Sequence, residues 1–291
     1  MKRLPLGEFS ISAVVYGLMR SDESREGLRE RLDTCLAHGI TTLDHADIYG
    51  GYRNEAILGE LFRAEAGLRD RFEIVTKCGI QAPWGEREDL PVKHYDTSRD
   101  HIRASVERSL EKLACDRIDL LLIHRPDPFM DADDTGRALD EVVAEGLVRA
   151  VGVSNFRPWD LSLLQSATGT PLLANQIELS LGHTEPFTNG DLAFFHEHGV
   201  RVMAWSPLQG GKMGGGKVPE HPTFKEVAVE LGATPSQVAL AFLLAHPSGI
   251  APVIGTNRAE RIAEAAGATE LELSRTQWFR LFEAARGVPV P

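Results

Sequence analysis

Short apolar runs alternate along this chain with longer stretches in which apolar residues recur every three or four positions. The short runs read as buried strands and the longer periodic stretches as helices with one face turned to a core. The strand candidates are 13–16, 41–44, 72–76, 118–123, 150–153, 172–175, 201–205 and 250–254. Helical spacing covers 24–38, 53–66, 98–114, 135–145, 158–167, 189–198 and 235–244. The breaks carry suitable punctuation: Gly39 and Gly199 follow helices as caps, and Ser98 opens one. Strand–helix alternation of this kind implies a parallel sheet. Eight such units in about 250 residues predict a single α/β domain over 1–291, a closed (β/α)8 TIM barrel with its chemistry at the C-terminal ends of the strands. The first dozen residues, with Gly7 between Leu6 and Glu8, predict a short hairpin across the bottom. An open doubly wound sheet is the rival, but no Gly-x-Gly-x-x-Gly follows the first strand. The glycine-rich stretch 210–216 comes after the seventh strand and opens no βαβ unit, so a dinucleotide would have to be held in another way.

Composition narrows the partners. The 291 residues suffice to bury a full core, and the formal net charge of −11 argues against nucleic acid or an anionic membrane as a partner. Any anionic ligand then needs a local basic cluster. Cys35, Cys78 and Cys115 are odd in number and lack metal-ligand spacing, which fits reduced thiols in the cytoplasm. Pro5, Gly7, Glu8 and Ser10 interrupt any signal-like apolar run after Met1-Lys2-Arg3, and no segment approaches the ~18 apolar residues of a membrane span. A soluble, cytoplasmic protein is expected.

The candidate chemistry lies at the ends of three successive strands: Asp44 and Tyr49, then Lys77, then His124. A tyrosine can serve as a proton donor although its unperturbed pKa is near ~10. A neighbouring ammonium lowers that pKa, and a carboxylate keeps the ammonium charged and in place. Taken singly, each residue has an ordinary reading as a helix cap, a packed ring, a rim lysine or a core histidine. Their convergence at one barrel face points to acid catalysis on a substrate oxygen. His45, Asp47 and His124 raise the question of a metal, but no His-x-His pair stands on the first strand and no later strand end carries a second histidine cluster. No metal is expected.

These residues sit in motifs that resemble the aldo-keto reductases along nearly the whole chain. The motifs are Leu43-Asp44-His45-Ala46-Asp47-Ile48-Tyr49-Gly50, Thr76-Lys77, Ile123-His124, Gly152-Val153-Ser154-Asn155-Phe156, Asn175-Gln176 and Trp205-Ser206-Pro207-Leu208. The resemblance implies a (β/α)8 barrel, a nicotinamide cofactor in an extended pose and reversible reduction of aldehydes or ketones. It makes Tyr49 the general acid, Lys77 the group that depresses its pKa, Asp44 the partner of that lysine and His124 the group that orients the carbonyl. It assigns Ser154, Asn155 and Gln176 to the nicotinamide carboxamide and Trp205 to its ring face. Ser206, Leu208, Gly210 and Lys212 would pass near the pyrophosphate. Ile254, Gly255, Thr256, Arg258, Arg261 and Glu264 would hold the adenosine end.

Here the chain departs from the commoner pattern, which has proline and lysine at Ile254 and Gly255 and asparagine at Ala265. Arg258 can supply the missing charge, so NADP(H) is expected over NAD(H). For the substrate, a small carbonyl compound, Met19, Trp84 and Phe129 are the pocket candidates, with Tyr95 beside them. The tail after the last helix is short, which predicts an open pocket and relaxed specificity. A monomer or weak homo-oligomer is expected. The alternative function is a nicotinamide-binding regulatory subunit with little turnover, as among channel-associated barrels of the same superfamily. The intact tetrad favours the enzyme.

Overall fold

In a computed structural model of the chain, which describes residues 1–21, 24–210 and 221–291, the elements run in the predicted alternation. The amino-terminal strands β1 (Arg3–Leu6) and β2 (Phe9–Ser12) pair antiparallel about Gly7. The barrel units follow: β3 (Val15–Gly17) and α1 (Arg25–Ala37), then β4 (Thr42–Asp44) with the short turn α2 (Tyr49–Tyr52) and α3 (Asn54–Ala64). Strand β5 (Glu73–Cys78) leads into a small antiparallel pair, β6 (Ile80–Gln81) and β7 (His94–Tyr95), and then α4 (Arg99–Leu113). Next come β8 (Leu120–Ile123), α5 (Ala132–Ala144), β9 (Val151–Ser154), α6 (Pro158–Ser166), β10 (Leu172–Glu178), α7 (Asp191–Glu197) and β11 (Arg201–Trp205). The chain closes with α8 (Pro222–Leu231), α9 (Pro235–Leu244), β12 (Ala251–Ile254), α10 (Ala259–Gly267) and α11 (Arg275–Arg286). Strands β3, β4, β5, β8, β9, β10, β11 and β12 pair in parallel and close into a barrel.

Successive strand residues face opposite sides, so each strand feeds two cores. Val15, Val75, Leu120, Leu122, Ala150, Ala174, Met203 and Ala251 fill the barrel interior, and Leu6 and Ile11 of the hairpin join them. The hairpin therefore plugs the bottom, as its position in the sequence predicts. The alternate residues Tyr16, Leu43, Ile74, Leu121, Ile123, Val151 and Val153 point outward against the helices. This period of two decides where the chemistry goes. Counting upward from the interior residues, Lys77 follows Val75, His124 follows Leu122, Ser154 follows Gly152 and Gln176 follows Ala174. All four therefore project inward at the open end.

Local chemistry sets the helix ends. Ser24 and Ser98 cap α1 and α4 through their hydroxyls, and Thr234 and Ser274 form capping boxes with Gln237 and Gln277. Helix α5 begins at Ala132 rather than at 135, because Asp131 caps it and Asp133 and Asp134 suit the positive end of its dipole. Four strands run past their predicted ends, two of them, to Gly17 and Ser154, by a single residue and two by more. The strand expected at 72–76 runs to Cys78 and that at 172–175 to Glu178, so Lys77 and Gln176 lie within strands. An ionic or amide side chain ends an apolar run in sequence; in the barrel, each finds a partner and the strand continues. Among the described residues no single helix is long and apolar enough to cross a membrane. Helices α8 and α9 reach that composition only together, bent by 84°, and Val238 to Leu243 of α9 are buried in the protein.

Candidate active site

The tetrad converges as a contact network. Lys77 has no solvent exposure, and its Nζ donates to both carboxylate oxygens of Asp44 at 2.8 and 2.9 Å, to the His45 carbonyl at 2.7 Å and toward the Tyr49 hydroxyl at 3.2 Å. Gln176 Nε2 donates to Asp44 Oδ1 at 2.7 Å, so the carboxylate is held from two sides. The Tyr49 and His124 rings meet edge-on with centroids 6.0 Å apart.

Burial raises the Tyr49 pKa; Lys77 pulls it down, as the resemblance implies, but burial outweighs that pull and the net direction is upward. The phenol thus keeps its proton at neutral pH, as a general acid must. Burial pulls Lys77 down, but Asp44 and Tyr49 more than restore it and its pKa rises. Burial, with Lys77 and Arg125 nearby, drives His124 well below the ordinary histidine range, so it is a neutral imidazole. Burial likewise pulls His45 down to about 4 and pushes Asp47 up to about 8. Among the described residues, no group of three His, Cys, Asp or Glu is placed to hold a metal ion.

Asp44, Tyr49 and His124 open onto a cavity of about 750 Å3. Ser154, Asn155, Gln176, Trp205, Ser206, Leu208, Gly210, Ile254, Gly255, Thr256, Arg258, Arg261 and Glu264 all line it. Trp205 Nε1 donates to Asn155 Oδ1 at 2.9 Å, and Asn155 Nδ2 donates to Ser154 Oγ at 2.8 Å, which locks these three side chains together. Asn155 holds this place with φ near +62°, in the left-handed region that asparagine tolerates. Arg258 pairs with Glu260, while Glu264 accepts from Thr234 at the start of α9. Lys212 lies outside the described residues.

Of the substrate candidates, Met19 lines the cavity. Trp84 and Phe129 do not: they are 49 % and 96 % exposed. Gly85 packs against Gly51, which directs the Trp84 loop across the outside of α2, and the Asp127 carboxylate accepts from the Phe129 amide in a turn that points outward. Tyr95 sits half-buried in β7, also away from the cavity lining. Sequence reasoning missed Arg20, Arg125 and Ser236, all of which line the cavity. Arg125 was signalled by its place directly after His124; Ser236 opens a helix far along the chain and carried no local signal.

Residues 13–286 match the family model described as the aldo/keto reductase family. The chain belongs to that family. This aldo/keto reductase is 51 % identical, over the full length of both chains, to a protein of Agrobacterium fabrum named 6-dehydroglucose reductase. It is 44 % identical to the oxidoreductase YdhF of Escherichia coli, over 98 % of this chain and 96 % of that one. Among solved structures, an aldo/keto reductase from Klebsiella pneumoniae in complex with NADP and acetate superposes with a TM-score of 0.82 at 25 % identity, covering all of this chain and 96 % of that one.

Proposed function

We propose that this aldo/keto reductase reduces a small aldehyde or ketone to the alcohol with NADPH, with Tyr49 as the proton donor. The observation that carries the reading is the buried ammonium of Lys77, shared between Asp44 and the hydroxyl of a tyrosine that faces the cavity. The cavity suits the cofactor on its own chemistry. Arg258, Arg261, Thr256 and the amino end of α10 offer a cationic, hydrogen-bonding seat for phosphate at one end, and a Cβ placed on Gly255 would meet only the Gly17 carbonyl, at 3.7 Å. At the other end Gln176, Asn155 and Ser154 present amide and hydroxyl groups for a carboxamide, beside the broad ring of Trp205. When bound there, the nicotinamide supplies the hydride chemistry.

The protein's own residues handle the oxygen. His124, neutral, offers a hydrogen-bond donor to the substrate carbonyl. Tyr49 gives up its proton to the oxygen as charge accumulates there, and the phenolate left behind faces the Lys77 ammonium at 3.2 Å. Asp44 keeps that ammonium charged, and Gln176 keeps Asp44 oriented. The name of the Agrobacterium relative supports a sugar-derived aldehyde as the substrate class.

The test is NADPH oxidation with a panel of aldehydes, run alongside Tyr49→Phe. The variant is expected to bind NADPH normally and lose at least about a hundredfold in kcat. Equal slow turnover by both proteins would instead favour a nicotinamide-binding regulatory role. Replacing Arg258 and Arg261 together by alanine should weaken NADPH binding by at least about tenfold and leave NADH binding nearly unchanged, since only NADPH carries the additional phosphate. Equal losses for the two cofactors in a fluorescence titration would refute the phosphate assignment.

A further inference from the structure

The reacting end of the cavity holds a cation that this mechanism does not use. Arg125 follows His124 at the end of β8, is half-buried, and lines the cavity with Tyr49, His124 and Trp205. Its guanidinium lies 6.0 Å from the centre of the Trp205 ring, at the limit of a cation–π contact. Among the described residues it has neither an ion pair nor a hydrogen bond. Asp44 is committed to Lys77 and Gln176, and Asp127 to the Thr97 hydroxyl and the Phe129 amide. Arg258, also on the cavity lining, pairs with Glu260. Among the described residues Arg125 is therefore a five-donor cation held without a polar partner on the cavity wall beside Tyr49 and His124, and its charge is felt by both. Partial burial of an unpaired charge is costly, and an oxygen-bearing ligand removes that cost.

We propose that Arg125 is a specificity-determining residue that hydrogen-bonds an oxygen function, hydroxyl or carboxylate, on a carbon close to the reducible carbonyl. It makes this aldo/keto reductase select oxygenated aldehydes over plain alkyl aldehydes. The inference rests on the carbonyl-reductase reading above and deepens it. Tyr49 and His124 take the carbonyl oxygen; Arg125, one residue along from His124, takes its neighbour. The planar fork of a guanidinium suits two acceptor oxygens, either adjacent hydroxyls or one carboxylate.

The experiment compares D-glyceraldehyde, glyoxylate and propanal as substrates of the wild type, of Arg125→Met, which keeps an unbranched stem against Trp205, and of Arg125→Lys, which keeps the charge but loses the fork. In the wild type, kcat/KM should favour at least one oxygenated aldehyde over propanal. Arg125→Met should reduce that preference by at least about tenfold, through KM, and Arg125→Lys should recover part of it. A change confined to the glyoxylate arm identifies a carboxylate as the recognised group, and one confined to the glyceraldehyde arm identifies hydroxyls; either supports the proposal. An unchanged preference ratio, or an equal fall in kcat for all three substrates, overturns it while leaving the reductase reading intact. If the wild type binds NADPH yet turns over none of the three, the reductase reading fails and takes this inference with it.

Discussion

Lys77 is a charged side chain buried at the open end of the barrel, tolerated because three oxygens from Asp44 and His45 surround its Nζ within 2.9 Å. Such a pair is unforgiving toward the loss of one member, since the survivor is left buried and uncompensated. Lys77→Met should destabilise the protein by about 3–5 kcal/mol in urea unfolding, and adding Asp44→Asn should recover part of that loss. Strict additivity of the two changes would argue that they do not form one unit. The upward net shift at Tyr49 has its own consequence for catalysis. In the proposed mechanism Tyr49 works as an acid while protonated, so the rate of carbonyl reduction should stay level from about pH 6 to about pH 9. A fall centred within that window would mean that Lys77 outweighs burial after all. Asp44, Tyr49, Lys77 and His124 were legible in the sequence because each ends or follows an apolar run. The direction of the Tyr49 shift was not legible, because burial is a property of surrounding elements that the local motif does not contain.

At the scale of elements, the two-residue period of the strands carries the site. It points Val75 and Lys77 inward and Thr76 outward, where the Thr76 hydroxyl donates to the buried carboxylate of Glu55 on α3 at 2.6 Å. A slip of one residue in β5 would exchange Lys77 for Thr76 and dismantle the tetrad. Helices α3 and α4 cross where Gly59 faces the Lys112 carbonyl, and a Cβ there would collide with that oxygen. Gly59→Ala should therefore destabilise by about 1–3 kcal/mol, measured by urea unfolding, through enforced separation of the two helices. A neutral outcome would mean that the helices part at little cost. Core-facing periodicity made most strands and helices readable, and the Ser98 cap placed the start of α4. Loop residues were less readable. Trp84 and Phe129 have the composition of pocket walls, but the packing of Gly85 on Gly51 and the turn at Asp127 send them to the surface.

For the molecule as a whole, buried titratable groups give stability a maximum near neutrality. Burial pulls His45 and His101 down to about 4, and His124 is also lowered. Below the ordinary histidine pKa of about 6.5, the unfolded chain binds protons that the folded one refuses, so stability falls as the pH drops toward about 4. Asp47, pushed up to about 8 by burial and the charge of Glu55, acts in the opposite sense. The folded state retains its proton while the unfolded state has lost it, so stability declines as the pH rises from about 4 to about 8. Burial raises Glu55 as well and adds to that decline. Urea unfolding across this range should show a maximum near pH 6–7, and Asp47→Asn should flatten its alkaline side. A monotonic profile would contradict the assignment. The alternation of strands and helices and the order of the motifs determined the barrel and the tetrad, because period and local punctuation are written in consecutive residues. Only the tertiary structure decided which inward positions meet, that burial outweighs Lys77 at Tyr49, and that Arg125 stands unpaired among the described residues on the cavity wall it shares with Tyr49 and His124. Those outcomes depend on distances between residues far apart in the chain, and on solvent that the folded barrel excludes.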